Sequence, residues 1–299
     1  MGSADRSARS GPAFAIAAYT IWGIAPAYFV WVRDATAAEI LSHRILWAIP
    51  LLAVLLTFAR AWPALFALRG RKLAALFVSG ALIAANWGIY IHAVLAERVL
   101  ETSLGYYLNP LINVALGVVL LAERLRPGQW LAVAIAALAV AVELTQLGRL
   151  PWFGLSLALT FALYGYVRKV AEVGAIEGLM IETLLMAPFA LGYLIWAHGQ
   201  GLSATASDDP GLLARLALGG VVTVTPLLCF TAAALRMPLS VLGLFQYLAP
   251  TLALLLAVFA FREPFLPHQY LTFGLIWLAL LVFTVEGWGS HRRAGSKPS

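Results

Sequence analysis

Polar side chains at helical spacing interrupt several of the long apolar stretches in this sequence. Tyr106, Asn109 and Asn113 follow one another at i, i+3 and i+7, a spacing that places them on one face of a helix. An amide group without a partner costs several kcal/mol in hydrocarbon, so this face is expected to point into a helix bundle or a water-filled cavity. Such a face either contacts a substrate or forms hydrogen bonds between helices.

A second group of candidate residues combines amide and aromatic side chains. Asn86 and Tyr90 share a helical face, which Trp87 borders, and Tyr164 lies in a later apolar stretch. Aromatic rings that carry one polar atom suit amphipathic or aromatic ligands, although Trp and Tyr also anchor helices at the membrane interface. We predict that these four residues contribute to the same substrate cavity as Tyr106.

Ionisable residues inside the apolar stretches are candidates for proton transfer or gating. Glu39 and His43 lie one helical turn apart near the start of one stretch, with Arg44 beside them, and Glu182 lies inside another. Charged groups within a membrane are costly and commonly mark ion or proton pathways. The group around Glu39 would equally suit a cluster whose charged ends reach the lipid headgroups.

Motifs of common enzymes and metal sites do not occur in the sequence. It contains no G-x-x-x-x-G-K-[ST] loop, no G-x-S-x-G elbow and no H-E-x-x-H pair. The five histidines have no metal-binding spacing. We therefore expect neither enzymatic activity nor a metal ion nor a cofactor.

The elements that carry these residues are predicted to span a lipid bilayer. The chain of 299 residues is 62% hydrophobic and 11% charged, with a mean hydropathy of +0.87, whereas a soluble domain has about 25% charged residues. A helix needs about 20 apolar residues to cross a hydrocarbon core of ~30 Å. The predicted fold is an all-α polytopic membrane protein with ten transmembrane helices, at approximately 12–32, 37–58, 73–96, 99–122, 128–147, 152–171, 177–198, 212–235, 239–261 and 268–287.

Basic residues predict the orientation of these helices and argue against a nucleic acid partner. The net charge is +6, but Lys and Arg lie in short breaks between apolar runs and not along one stripe. With the N-terminus inside, fourteen of the 20 basic residues fall in inner segments, among them Arg168 and Lys169, which are expected to anchor a helix end. This bias predicts that both termini are cytoplasmic.

Residues 101–131 and 241–271 align without a gap when the chain is shifted by 140 positions. Ten of the 31 aligned positions are identical, including Pro110/Pro250 and Glu123/Glu263. We interpret this match as an internal duplication. The shift superposes five predicted helices on the next five, so the second copy enters the membrane from the opposite side. That relation predicts inverted repeats over 12–147 and 152–287, with cytoplasmic tails at 1–11 and 288–299.

The duplicated segments also predict hinge and corner residues. A proline within a helix removes a backbone hydrogen bond and produces a kink, so Pro110 and Pro250 are candidate hinges. Gln246 is the counterpart of the first residue of the polar face and joins the candidate substrate-binding residues. Each repeated Glu precedes a Gln by six residues, as Glu123 precedes Gln129, which predicts a polar corner between consecutive helices.

Five segments together resemble a known transporter group. They are NWGIYIHAVLAERVLETSLGYYLNPLINVALGVVLLAERLRPGQWLAV at 86–133, LSHRILWAIP at 41–50, ALYGYVRK at 162–169, ETLLMAP at 182–188 and TPLLCFTAAALRMPLSVLGLFQYLAPTLALLLAVFAFREP at 225–264. The chain resembles the RarD branch of the EamA group within the drug/metabolite transporter (DMT) superfamily. The resemblance implies ten helices in two EamA repeats, a bacterial inner (plasma) membrane location, and efflux of metabolites, amino acids and some drugs. Bacterial relatives such as YddG export aromatic amino acids.

These observations favour a secondary transporter that exports a small-molecule substrate by alternating access between inverted repeats. Small amphipathic metabolites are the expected substrates, with amino acids, including aromatic ones, preferred. Drugs or other metabolites are an alternative substrate class. A membrane sensor or assembly factor on the same fold is an alternative without transport, and a membrane-embedded enzyme would need a reactive group of residues that the sequence does not contain.

Overall fold

The structure is a computed structural model that describes residues 3–96, 99–148, 150–204, 209–262 and 267–295. All regular secondary structure within these ranges is helical, which confirms the predicted all-α class. The helices are α1 Ser3–Trp31, α2 Ala37–Phe58, α3 Trp62–Phe66, α4 Gly70–Leu95, α5 Val99–Leu120, α6 Pro127–Leu147, α7 Trp152–Ala171, α8 Ala175–Gly199, α9 Pro210–Ala234, α10 Leu239–Phe245, α11 Leu248–Leu255, a π-helical turn at Leu256–Ala260, and α12 Pro267–Gly295.

Eight segments within the described residues are long and apolar enough to cross a membrane. They are Ser10–Trp31, Ala37–Phe58, Gly70–Ala93, Pro127–Gln146, Ala175–Gly199, Gly211–Ala234, Leu239–Ala260 and Gln269–Gly287. α5 contributes only the shorter apolar segment Gly105–Leu120, and α7, which ends in Arg168 and Lys169, is not among the eight. Eight of the ten predicted spans are thus confirmed by length and composition, and the other two exist as helices.

Local sequence signals explain where several helices begin and end. Thr36 caps α2, because its hydroxyl accepts the backbone N–H of Glu39 at 3.2 Å. Asp209 caps α9 in a similar way at 2.8 Å. α6 begins at Pro127, where the missing N–H has no partner to lose, and ends before Gly148, whose φ of 65° is left-handed.

The helices of the second half repeat the spacing of the first. α9 begins 140 residues after α4, and α12 begins 140 residues after α6. α5 covers 99–120, and the corresponding residues 239–260 cover α10, α11 and the π-helical turn. The helix boundaries therefore repeat with the same shift as the duplicated sequence.

One pair of corresponding helices departs from this repetition. α5 is continuous through Pro110, whereas its counterpart is interrupted between α10 and α11. Pro250 lies in the first turn of α11, where its absent N–H leaves the Gln246 carbonyl without its usual donor. That carbonyl accepts the N–H of Ala249 at 3.1 Å instead. Of the two predicted hinges, only Pro250 adjoins a break in its helix.

Helices from the two halves of the chain pack against each other throughout the bundle. α2 contacts α8 and α9, α1 contacts α9 and α11, α4 contacts α7 and α8, and α5 contacts α7 and α10. α6 packs on α12. The largest buried apolar cluster includes Tyr19 of α1, Phe230 of α9 and Leu242 of α10. The core is therefore formed jointly by both halves.

The two ends of the bundle differ in the chain segments that meet there. At one end Gly11, early in α1, lies beside Met237, and Gly128 lies beside Glu286 of α12. We call this the tail end. At the other end Arg215 forms an ion pair of 3.8 Å with Asp34 in the connection between α1 and α2, and we call this the loop end.

Candidate functional site

Arg44 extends from α2 into the interior of the bundle, where two aromatic rings enclose its guanidinium group. The guanidinium carbon lies 5.3 Å from the centroid of the Phe29 ring on α1 and 5.5 Å from that of Trp87 on α4. The Nε atom donates a hydrogen bond of 2.7 Å to the Thr223 hydroxyl on α9. Cation–π contacts and this hydrogen bond stabilise a positive charge that hydrocarbon alone would disfavour.

A pair of glycines on α9 makes room for α2, Gly219 for the side chain of Arg44 and Gly220 for the backbone of Trp47. A methyl group at Gly219 would lie 2.6 Å from Cγ of Arg44 and 2.6 Å from the hydroxyl of Tyr28. At Gly220 it would lie 2.7 Å from the backbone of Trp47 on α2. A larger residue at position 219 would have to displace these side chains, and one at position 220 would push α2 away from α9, so the two glycines permit this close crossing.

Tyr90 on α4 and Tyr106 on α5 border an open space beside Arg44. Their hydroxyl groups, with that of Tyr28, lie within electrostatic range of the guanidinium group. Tyr106 is surrounded by protein, yet 52% of its surface is exposed, and Tyr90 is 36% exposed. From this combination of depth and exposure we infer that Tyr106 faces an opening inside the bundle. We call this opening the Arg44 cavity, lined by Arg44, Trp87, Tyr90 and Tyr106.

The Arg44 cavity unites residues that sequence spacing predicts for separate roles. Trp87, Tyr90 and Tyr106 are predicted to bind substrate and Arg44 to act in gating, and the structure brings all four together across α2, α4 and α5. Thr223 is not predicted from the sequence. Its only signal is a hydroxyl in an apolar stretch, and such a residue usually bonds to its own helix, as Thr223 also does to the carbonyl four residues earlier at 2.7 Å.

The amide side chains of the predicted polar face form a separate cluster between α5 and α10. Asn113 Nδ2 donates to Oδ1 of Asn109 at 3.1 Å and to Oε1 of Gln246 at 2.9 Å. All three side chains are buried. The polar face is expected to line one cavity together with Tyr106, but these amides lie apart from it. Seven residues separate Asn113 from Tyr106, which is about 10 Å along the helix axis.

Asn86 connects α4 to α7. Its Nδ2 atom donates to the backbone carbonyl of Leu157 at 2.8 Å and to the hydroxyl of Thr160 at 2.9 Å. Both amide hydrogens are therefore used within the protein. This is the interhelical role that the sequence leaves open for intramembrane amides.

A buried ion pair lies between α7 and α8. Glu182 and Arg168 are both fully buried, and Nε of Arg168 lies 3.5 Å from Oε1 of Glu182. Glu182 also accepts hydrogen bonds from Ser79 at 2.5 Å and Tyr164 at 3.3 Å. Arg168 therefore does not anchor a helix end at the headgroups, because Glu182 neutralises its charge inside the bundle. Tyr164 faces this carboxylate and not the Arg44 cavity.

Glu39 and His43 lie toward the loop end. The Glu39 carboxylate accepts the Ser203 hydroxyl at 2.8 Å and the backbone N–H of Ala204 at 3.1 Å. His43 borders a cavity of about 310 Å³ that His198 and Ser203 also line. Both Glu39 and His43 are buried, so neither side chain reaches outward to the headgroups. Within the described ranges no three His, Cys, Asp or Glu residues are grouped as metal ligands.

The predicted corner after α5 is replaced by a contact between the two halves. Glu123 accepts hydrogen bonds from the first two backbone N–H groups of α10 at 2.7 and 2.8 Å and from the Ser240 hydroxyl at 2.6 Å. Gln129 instead caps the start of its own helix, where it accepts the N–H of Arg126 at 2.9 Å. Glu263, the counterpart of Glu123, lies outside the described residues.

Comparisons with known proteins identify relatives of the whole chain. The sequence model of the EamA-like transporter family matches residues 9–145 and 151–285. The chain is 46% identical over 285 residues to a protein of Vibrio cholerae named "Uncharacterized transporter", with coverage of 95% of this chain and 94% of the relative. It is 44% identical over 290 residues to Protein RarD of Escherichia coli K12, with coverage of 96% and 98%.

A solved structure supports the fold independently. A protein of known crystal structure matches with a TM-score of 0.72 over 93% of this chain and 98% of its own, at 17% identity, which shows the fold alone. The family model and the relatives in turn show a multi-pass transporter lineage. By these matches the chain belongs to the EamA-like transporter family, in the DMT superfamily, and is similar to RarD proteins.

Proposed function

We propose that this protein is a secondary transporter that exports small amphipathic metabolites, with amino acids, aromatic ones included, among its substrates. The observation that carries the proposal is the Arg44 cavity, an interior opening that combines a cation, phenolic hydroxyl groups and an indole ring. Polar groups of an amino acid need such partners once they lose water. Its apolar side chain would pack on Trp87 or Tyr90. Membership in a transporter family supports transport as the activity.

Ten transmembrane helices in two inverted repeats would give the cavity access to each side of the membrane in turn. In this arrangement α1, α2, α4 and α5 correspond to α7, α8, α9 and the α10–α11 pair. The packing supports the correspondence, because α1 contacts α9 and α11, and α7 contacts α4 and α5. Likewise α2 contacts α9, and α8 contacts α4. Halves related in this way can exchange their arrangements, which is the basis of alternating access.

The tail end is proposed to face the cytoplasm of a bacterium. Arg44 and Arg168 lie within the bundle and carry no information on orientation. Without them, thirteen basic residues remain in the proposed inner segments against five in the outer ones, so the positive-inside bias stays. Lys169 fits the inner side, where its Nζ atom donates to the carbonyls of Ala234 and Met237 at 2.9 and 2.7 Å.

Transport is proposed to require movement of helices and of gating groups, most of which lie outside the Arg44 cavity. Asn109, Asn113 and Gln246 would contact substrate only when α5 and α10 separate, because their amides are buried between these helices. Pro110 and Pro250 are the proposed hinges. The candidates for proton coupling or gating are Glu39, His43, Arg44 and Glu182.

Flux measured in liposomes tests the proposal. Purified full-length protein would be reconstituted into liposomes loaded with labelled phenylalanine, and we expect saturable efflux that unlabelled tryptophan competes for. Tyr90→Ala should slow the transport of aromatic amino acids more than the transport of alanine, since a ring contact is lost. Tyr106→Ala should slow the transport of all substrates. Trp152→Ala, at an exposed aromatic residue at the start of α7, is the matched control and should leave flux unchanged. Efflux equal to that of protein-free liposomes for every amino acid would contradict transport.

A further inference from the structure

In the part of the chain that the structure describes, no carboxylate balances the positive charge of Arg44. Among the residues that the structure describes, no carboxylate forms a salt bridge with Arg44, and the titratable groups that interact with its charge are tyrosine hydroxyls. Arg168, the other arginine inside the bundle, is paired with Glu182 at 3.5 Å. An ionised group inside a membrane protein is normally paired in this way. Arg168 therefore has a carboxylate that neutralises its charge, and Arg44 has none among the described residues.

The terminal nitrogens of Arg44 are free to donate hydrogen bonds, and such nitrogens commonly bind carboxylates. Within the described residues its hydrogen bonds use Nε alone, through Thr223, so both terminal nitrogens keep their N–H donors. The rings of Phe29 and Trp87 lie against the guanidinium group and hold it in place. A guanidinium group held in this way presents a planar fork of donors, which matches the two oxygens of a carboxylate.

Building on the proposed function, we propose that Arg44 is the carboxylate-binding residue of the substrate site. The substrates are then carboxylates with an apolar or aromatic body, either zwitterions such as amino acids or simple anions. Tyr90 and Tyr106 offer hydroxyl oxygens in the same opening that accept hydrogen bonds from an ammonium group. A free amine without a carboxylate meets repulsion from Arg44, and a neutral amphiphile leaves the cation unpaired.

Binding of three small probes with one phenyl ring tests the assignment. Phenylalanine, phenylpropionate and phenethylamine carry both charged groups, the carboxylate alone and the ammonium alone. We expect the two carboxylates, added to purified full-length protein in detergent, to raise its melting temperature, because a ligand stabilises the state that it binds. Phenethylamine should not raise it. Isothermal titration calorimetry would give the dissociation constants.

Variants at position 44 separate charge from geometry. Arg44→Gln should weaken both carboxylates roughly ten- to a hundredfold, the value of charge-assisted hydrogen bonds. Arg44→Lys keeps the charge but lacks the planar fork, so its affinity should lie between those of the wild type and Arg44→Gln. Arg33→Gln removes an exposed cation in the connection between α1 and α2, at the loop end. It is the matched control, and we expect its affinity for both carboxylates to be unchanged.

Equal stabilisation by phenethylamine would overturn the assignment, as would no stabilisation by either carboxylate or wild-type affinity in Arg44→Gln. If Arg44→Gln does not fold, Thr223→Val removes the Nε acceptor, together with the hydroxyl's bond to its own helix, and should weaken the binding of both carboxylates about three- to tenfold. Unchanged affinity in that variant counts against the role. Failure of the proposed function looks different, because then no probe would cross the liposome membrane faster with the protein than in protein-free liposomes. Protein-dependent flux of phenethylamine without protein-dependent flux of phenylalanine would retain transport and reject Arg44.

Discussion

The carboxylate of Glu123 holds Ser240 through both its backbone N–H, at 2.8 Å, and its hydroxyl, at 2.6 Å. Glu123 follows α5 in the first half of the chain, and Ser240 lies in the first turn of α10 in the second half. A negative charge at a helix N-terminus is favoured by the unpaired N–H groups there. This contact therefore fastens α5 to α10 at the tail end, and we call it the tail latch.

Loss of the charge in the tail latch should destabilise the protein. Glu123→Gln leaves one oxygen as acceptor where a carboxylate accepts three hydrogen bonds, so we expect a loss of about 1–3 kcal/mol, seen as a lower melting temperature. Glu172→Gln, at an exposed turn residue, should change stability little. An unaltered melting temperature in Glu123→Gln would show that the latch contributes nothing to this state.

The Arg168–Glu182 pair should behave as a unit. Removing one partner, as in Glu182→Leu, leaves a buried charge without compensation and should cost about 3–5 kcal/mol. The double variant Arg168→Met with Glu182→Leu should cost less than the sum of the single variants, because no charge is then stranded. A double-mutant cycle of thermal unfolding measures the difference. Additive losses would mean that the two charges do not stabilise each other.

Gly219 should control the position of Arg44. In Gly219→Ala the new methyl group would displace the stem of Arg44 and the hydroxyl of Tyr28, so substrate affinity should fall while the protein still folds. Gly192→Ala is the control, because a methyl group there meets open space and stabilises a helix by about 0.5–1 kcal/mol. The measurement is the dissociation constant beside the melting temperature. Equal affinity in both variants would contradict the steric argument.

The two prolines that the duplication relates, Pro110 and Pro250, should differ in their effect on transport. Pro250→Ala restores a backbone donor at the break between α10 and α11, so it should straighten the segment and lower the transport rate at unchanged protein level. Pro110→Ala alters a helix that is already continuous, so its effect should be smaller. Wild-type flux from the double variant would remove both residues from the mechanism.

Both termini should be cytoplasmic. Single cysteines at Ser3, Ser207 and Ser296, introduced in a Cys229→Ser background, would be exposed to a membrane-impermeant thiol reagent in intact cells. Ser207 and Ser296 lie outside the described residues, and both are placed by the predicted topology alone. We expect labelling only at position 207, because the other two sites lie on the basic, inner side. Labelling at position 3 or 296 would reverse the orientation.

The length of an apolar run predicts a helix well, because a helix that crosses hydrocarbon needs about 20 apolar residues. Run length and periodicity predict poorly which helices and side chains lie next to each other. Tyr106 and Asn113 share a helical face, yet one borders an opening and the other is buried against Gln246. Arg168 follows the pattern of a headgroup anchor, but its partner Glu182 lies on the next helix. Spacing gives the direction of a side chain, whereas its role depends on which helix stands opposite.

The break between α10 and α11 has a kinetic consequence. Its counterpart α5 is continuous, so two states formed by exchange of these helices would not be related by an exact two-fold rotation and would differ in energy. A carrier of this kind would show different half-saturation concentrations on the two faces of the membrane. Maximal rates in the two directions would differ by the same ratio, because an uncoupled carrier cannot shift the final equilibrium. Such rectification would be built into the backbone by one proline and its surroundings.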